Sequence, residues 1–105
     1  MRYLLNSPVL TDYGDYRFEG PLNLADAQDF AAVTTQSAIG HPATAEYLTA
    51  QLGRPVALQR SIIRMQPGDQ ALVLRLLDRL CEGQVLDAQA LAAAPQEFAL
   101  LTRIR

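Results

Sequence analysis

Apolar side chains recur along this chain in two rhythms, short runs at strand spacing and longer ones at helical spacing. Residues 2–7 (RYLLNS) form an apolar run halted by Pro8, which predicts a first strand. A turn cluster follows at Asp12-Tyr13-Gly14-Asp15. Residues 16–22 alternate aromatic and charged positions and close on Gly20-Pro21, the pattern of an edge strand. Asn23 is placed to cap a helix over residues 24–33, with Asp26 and Asp29 toward its start and Phe30 turned inward. Residues 34–40 run from polar to small and predict a connection. Pro42 at a first helical position and Gly53 just past the end bracket a second helix over 42–52. Its Ala45, Leu48 and Leu52 share one face.

The second half repeats both rhythms. Residues 56–65 alternate and predict a strand, and Pro67-Gly68-Asp69 turns the chain. Residues 71–77 (ALVLRLL) are apolar on both faces apart from Arg75, as a central strand requires. Because the run continues to Leu80, a helix competes there. Asp87 caps a short alanine-rich helix closed by Pro95, and residues 97–104 (EFALLTRI) form a last strand. The order β-β-α-α-β-β-α-β describes an α/β protein, one mixed sheet of about five strands flanked by about three helices. With 105 residues, the whole of 1–105 makes a single domain.

Composition removes several classes of function. Half the residues are apolar and only 19% are charged, which excludes a disordered chain. No segment approaches the roughly 20 apolar residues of a membrane span, and no secretory leader is legible, so a soluble cytoplasmic protein is expected. One cysteine (Cys81) and one histidine (His41) preclude an intramolecular disulfide and a closed zinc site from one chain. Neither a metal nor another cofactor is expected. A net charge of −2 argues against a protein that tracks long nucleic-acid backbones, so DNA is not expected as a partner. All nine cationic side chains are arginines, so an anion site here must use guanidinium forks or backbone amides.

Two constellations carry candidate chemistry. His41 lies in Ser37-Ala38-Ile39-Gly40-His41-Pro42, where a loop enters a helix whose first turn offers unpaired amides and a positive dipole end. A histidine beside a phosphate seated there can donate a proton to a leaving oxygen. The structural alternative is a histidine that merely caps the helix. The second constellation is arginine. Arg60 and Arg64 share a face if 56–65 is a strand, and Arg79 and Glu82 are three apart, within reach if that segment is helical. Arg75, inside the most apolar stretch, must find a carboxylate, a phosphate or a partner subunit. The alternative for the set is surface ion pairing with Asp78 and Glu82. Cys81 has no local cation and reads as an inert thiol.

Taken together, these motifs resemble a family. Leu5-Asn6-Ser7, then Ser37-Ala38-Ile39-Gly40-His41 with Thr44-Ala45 and Leu48, Leu52-Gly53, Arg60, Gly68-Asp69 and Arg79-Leu80-x-Glu82-Gly83-x-x-Leu86 are similar to the viral type III anti-CRISPR ring nucleases. That family has members in archaeal viruses, phages and bacteria. The similarity runs from about Tyr3 to Ile104, and the sequence departs from some viral members at Val9 and Arg75.

The resemblance implies a homodimer whose interface binds cyclic tetra-adenylate, the second messenger of type III CRISPR defence. It implies His41 as the catalytic histidine and Arg79, Glu82 and Arg60 as ligand contacts. Asn6 would be the polar residue closing the first strand beside the site, and the backbone around Ile63 an adenine contact. The implied products are linear di-adenylates ending in 2′,3′-cyclic phosphate, formed without metal. The competing reading is a binding module, either a non-catalytic cyclic-oligoadenylate-binding protein or a small DNA-binding regulator.

Overall fold

The computed structural model describes residues 1–6, 12–33, 35–59, 63–77, 93 and 95–105. Five strands and two helices follow in order: β1 (Arg2–Leu5), β2 (Tyr16–Leu22), α1 (Leu24–Ala31), β3 (Gln36–Ser37), α2 (Pro42–Leu52), β4 (Gln70–Leu76) and β5 (Gln96–Arg103). They build one sheet in the order β2-β5-β4-β1-β3. The sheet is mixed: β1 runs parallel to both β3 and β4, whereas β5 is antiparallel to β4 and β2. The α/β expectation of a single mixed five-stranded sheet therefore holds.

Side-chain alternation along the inner strands divides the core between the two sheet faces. Leu4, Leu72, Leu74 and Phe98 point to one face, where α1 and α2 cover them with Ala27, Phe30, Ala31, Ala45, Leu48 and Leu52. Tyr3, Leu5, Ala71, Val73 and Leu101 point to the other, against Met65, with Tyr16, Ala38 and Ile63 at its margin. Residues 71–74 are buried without a break because β4 lies between β1 and β5 with both faces covered. Burial raises the phenol pKa of Tyr3 above its ordinary value, and the charge of Asp69 adds to the effect. The Tyr47 phenol is likewise raised by burial, partly offset by a hydrogen bond with Gln96.

Local chemistry sets both helices. The Asn23 side chain accepts from the Asp26 amide at 2.8 Å and starts α1. α2 starts on Pro42 and stops at Gly53, whose φ of 69° lies in the left-handed region that glycine enters without steric cost. A tight turn at residues 66–69 introduces β4: the Asp69 amide donates to Gln66 O at 2.9 Å, and Gly68 takes φ 91°.

Four expectations need correction or bounding. The strand expected over 56–65 is absent among its described residues: a single parallel bridge joins Leu58 to Ile39. Its apparent alternation does not survive in burial, since Ala57, Leu58 and Gln59 are all exposed at the sheet margin. The fifth strand is instead β3, inside the stretch expected to be a connection. Its two residues are extended because they pair with Tyr3 and Leu4 of β1, which no local periodicity announces. The helix expected after Asp87 lies outside the described residues, so two helices rather than three stand among them. Finally, of the three partners open to Arg75 the carboxylate is realised, though it is Glu97 rather than Asp78 or Glu82: half-exposed Arg75 donates from Nη1 to Glu97 Oε1 at 2.7 Å across the β4–β5 pair. Among the described residues, no helix is long and apolar enough to cross a membrane.

Candidate functional site

Topology singles out one end of the sheet. After β3 the chain runs through α2 and returns as β4 on the far side of β1, so β1 is flanked by parallel strands approached from opposite directions. Such a reversal leaves a crevice outside the carboxyl ends of the strands, where α/β proteins bind ligands. Asn6 follows directly on the end of β1, residues 38–41 follow β3, and Leu77 follows β4. Two of the motifs selected from sequence, Asn6 and the residues leading to His41, are thereby delivered to one end of the sheet.

His41 occupies the N-cap position of α2 in an extended conformation, φ −118° and ψ 128°. Its carbonyl accepts the first helical bond, from the Ala45 amide at 3.1 Å. Its side chain makes no capping hydrogen bond, so the alternative that the imidazole merely caps the helix is not realised. The ring is exposed. Pro42 has no amide proton, and the amides of Ala43 and Thr44 precede the first helical bond, so they point out of the helix start with its positive dipole end. An anion seated there would lie beside the imidazole.

Asn6 is half buried, and among the described residues its amide has no hydrogen-bond partner. Ile63 and Ala38 both pack at the margin of the core cluster that contains Leu5. The ends of β1 and β3 and the segment around Ile63 thus converge on one apolar base. Arg60, Arg79 and Glu82 lie outside the described residues, as does Cys81. Arg64 is exposed and 3.8 Å from the Asp12 carboxylate, a solvent-screened pair of small energy. Among the described residues, no group of three or more His, Cys, Asp or Glu side chains gathers as a metal site would require.

One side chain in the histidine motif received no role from sequence. Ser37 is 7% exposed; its hydroxyl donates to Ala57 O at 2.6 Å and accepts from the Ile39 amide at 3.2 Å. A buried, doubly bonded serine has no signature in sequence, because its partner Ala57 is distant in the chain. Two shallow depressions of about 330 and 300 Å³ lie elsewhere, sharing Leu4, Thr35, Pro55 and Val56 in their walls. Ser37, Ala57 and Gln59 line the smaller one, and neither has His41 or Asn6 in its walls.

Comparison with known proteins fits this architecture. Residues 2–98 match the family described as STIV B116-like. The chain belongs to the STIV B116-like family. It is 31% identical over 110 residues to ORF117, an uncharacterized protein of Acidianus two-tailed virus, covering 98% of this chain and 93% of the relative. It is 31% identical over 103 residues to YddF, an uncharacterized protein of Bacillus subtilis (strain 168), covering 95% and 94%. In fold it is similar to B116 of Sulfolobus turreted icosahedral virus, with a TM-score of 0.74 at 22% identity over 97% of this chain and 98% of that one. This STIV B116-like chain thus has relatives in viruses and in a bacterium.

Proposed function

We propose that this STIV B116-like protein is a ring nuclease, a metal-independent phosphodiesterase that opens cyclic tetra-adenylate and so ends type III CRISPR signalling. The observation that carries the reading is His41: an exposed imidazole, unused as a cap, at the start of α2 and at the carboxyl end of the parallel strands. The resemblance of the motifs around it to ring nucleases supplies the substrate.

The chemistry follows from the ligand. In each adenosine the 2′-oxygen lies next to its own 3′-phosphate. It attacks phosphorus, the P–O2′ bond forms, and the P–O5′ bond breaks in line with it. The 2′-hydroxyl proton leaves to solvent, and His41 as general acid protonates the departing 5′-oxygen. The helix-start amides and the arginines, Arg60 and Arg79, stabilise the charge that develops on the phosphate. Glu82 orients Arg79 or a ribose hydroxyl, Asn6 lines the strand end, and the Ile63 backbone contacts adenine. The ring contains a twofold axis, so a homodimer presents His41 to two opposite phosphates and releases two di-adenylates ending in 2′,3′-cyclic phosphate. Incubation with cyclic tetra-adenylate in the presence of EDTA, with the products resolved by chromatography, tests the proposal. Di-adenylates are expected; an intact ring bound to folded protein would reassign it as a messenger-binding module.

A further inference from the structure

β3 is two residues long and, among the described strands, pairs with β1 along one side. Its other side and the residues just past it meet residues 57–59. The Ser37 hydroxyl donates to Ala57 O at 2.6 Å and accepts from the Ile39 amide at 3.2 Å. Two residues on, the Gln59 amide donates to Ile39 O at 2.9 Å, and Ile39 and Leu58 form a parallel bridge. Ile39 is fully buried, so its amide depends on the Ser37 oxygen in a place where water does not substitute. The clamp thus joins two stretches about 20 residues apart in sequence. One ends two residues later at His41; the other leads in the next residue to Arg60 and then to Ile63.

We infer that Ser37 is a positioning residue of the site, its hydroxyl setting the His41 loop in register with residues 57–59. The role assigned to His41 rests on the ring-nuclease reading above, whereas the clamp rests on the hydrogen bonds alone. Ser37 touches no substrate. Its effect passes through the backbone of residues 38–41, where a shift of about 1 Å in a proton donor costs on the order of 100-fold in rate. Binding draws on charges that the clamp does not supply. Loosening it therefore slows cleavage without weakening affinity to the same degree.

Wild type, Ser37→Ala, Ser37→Thr and Gln59→Pro are compared by single-turnover cleavage of cyclic tetra-adenylate, by equilibrium binding, and by the ring Cε1–H resonance of His41. The chain has one histidine, so that resonance is unambiguous. Ser37→Ala is expected to slow cleavage by about tenfold or more, to leave affinity nearly unchanged, and to shift or broaden the His41 signal. Ser37→Thr, which keeps the hydroxyl, restores both. A folded Ser37→Ala with the wild-type rate and an unmoved His41 signal overturns the inference, as does a folded Ser37→Thr that restores neither readout. If wild type itself does not cleave, the functional reading fails, and the His41 signal alone then decides the clamp: moved in Ser37→Ala upholds it, unmoved overturns it. Should Ser37→Ala not fold, Gln59→Pro decides, because it deletes the donor to Ile39 O and leaves the hydroxyl in place. A slower rate or a moved signal upholds the clamp, and wild-type behaviour in both readouts overturns it.

Discussion

Where the chain enters β4, polar groups are spent on structure. Asp69 is buried; one carboxylate oxygen is 3.1 Å from the Met1 ammonium and the other accepts from the Gln66 amide at 2.8 Å. Nearby, Arg103 donates to Tyr13 O at 3.0 Å and to Met65 O. Where the parallel strands end, the opposite holds. Among the described residues, the Asn6 amide and the His41 imidazole make no hydrogen bond, and His41 stands at a helix start whose first amides are also uncapped. Polar side chains bound to the protein's own backbone hold the fold, whereas those delivered to one place and left unbound are available to a ligand. Two motifs that look alike in sequence, Gly68-Asp69 and Gly40-His41, thus take unlike parts.

The sharpest way to break this contrast is at His41. His41→Ala is expected to bind cyclic tetra-adenylate nearly as tightly as wild type and to cleave it at least about 100-fold more slowly. Single-turnover kinetics alongside equilibrium binding check this; equal cleavage by a folded variant would make the histidine inert. Next in size is Arg79→Ala. Loss of a guanidinium–phosphate contact is expected to cost about 1.5–3 kcal/mol in ligand affinity, read by isothermal titration, with folding intact. Glu82→Ala should lower the cleavage rate more than it lowers stability.

At the other end the expected losses fall on stability instead. Asp69→Ala leaves the Gln66 amide and the Met1 ammonium without their acceptor and is expected to destabilise by about 1–3 kcal/mol, measured by urea unfolding. Ligand affinity at the far end of the strands should not move; a large drop in affinity without loss of stability would erase the contrast. Smallest is Arg75→Gln. The pair with Glu97 is cross-strand and partly solvent-exposed, so about 0.2–1 kcal/mol of stability is expected to be lost. The sedimentation coefficient should be unchanged, because Arg75 already has its carboxylate within the chain.

Legibility from sequence followed the range of the forces involved. The capping of α1 by Asn23 and the bracketing of α2 by Pro42 and Gly53 are encoded within four residues or by backbone stereochemistry, and both helix starts were predicted where they lie. The apolar block of β4 announced a central strand for the same reason: burial on both faces tolerates few polar side chains. Residues 56–65 misled because their described part lies at a sheet margin and, among the described residues, pairs through one bridge. For the site, the motifs nominated His41 and Asn6, but their convergence at one end of the sheet was outside the reach of spacing.

By itself, then, the sequence determined the two described helices, the central strand, the class of fold and the residue types able to act on a phosphate, because propensity, capping and hydrophobic period act between near neighbours. Only the tertiary structure decided that Gln36 and Ser37 form a strand, that Arg75 is satisfied by Glu97, that His41 is not a cap, and that Ser37 joins its loop to residues 57–59. The strand pairing, the Arg75 ion pair and the Ser37 clamp each depend on a partner 20 or more residues away along the chain. Such partners are chosen by the closing of the sheet, where hydrogen-bonding groups withdrawn from water must find one another.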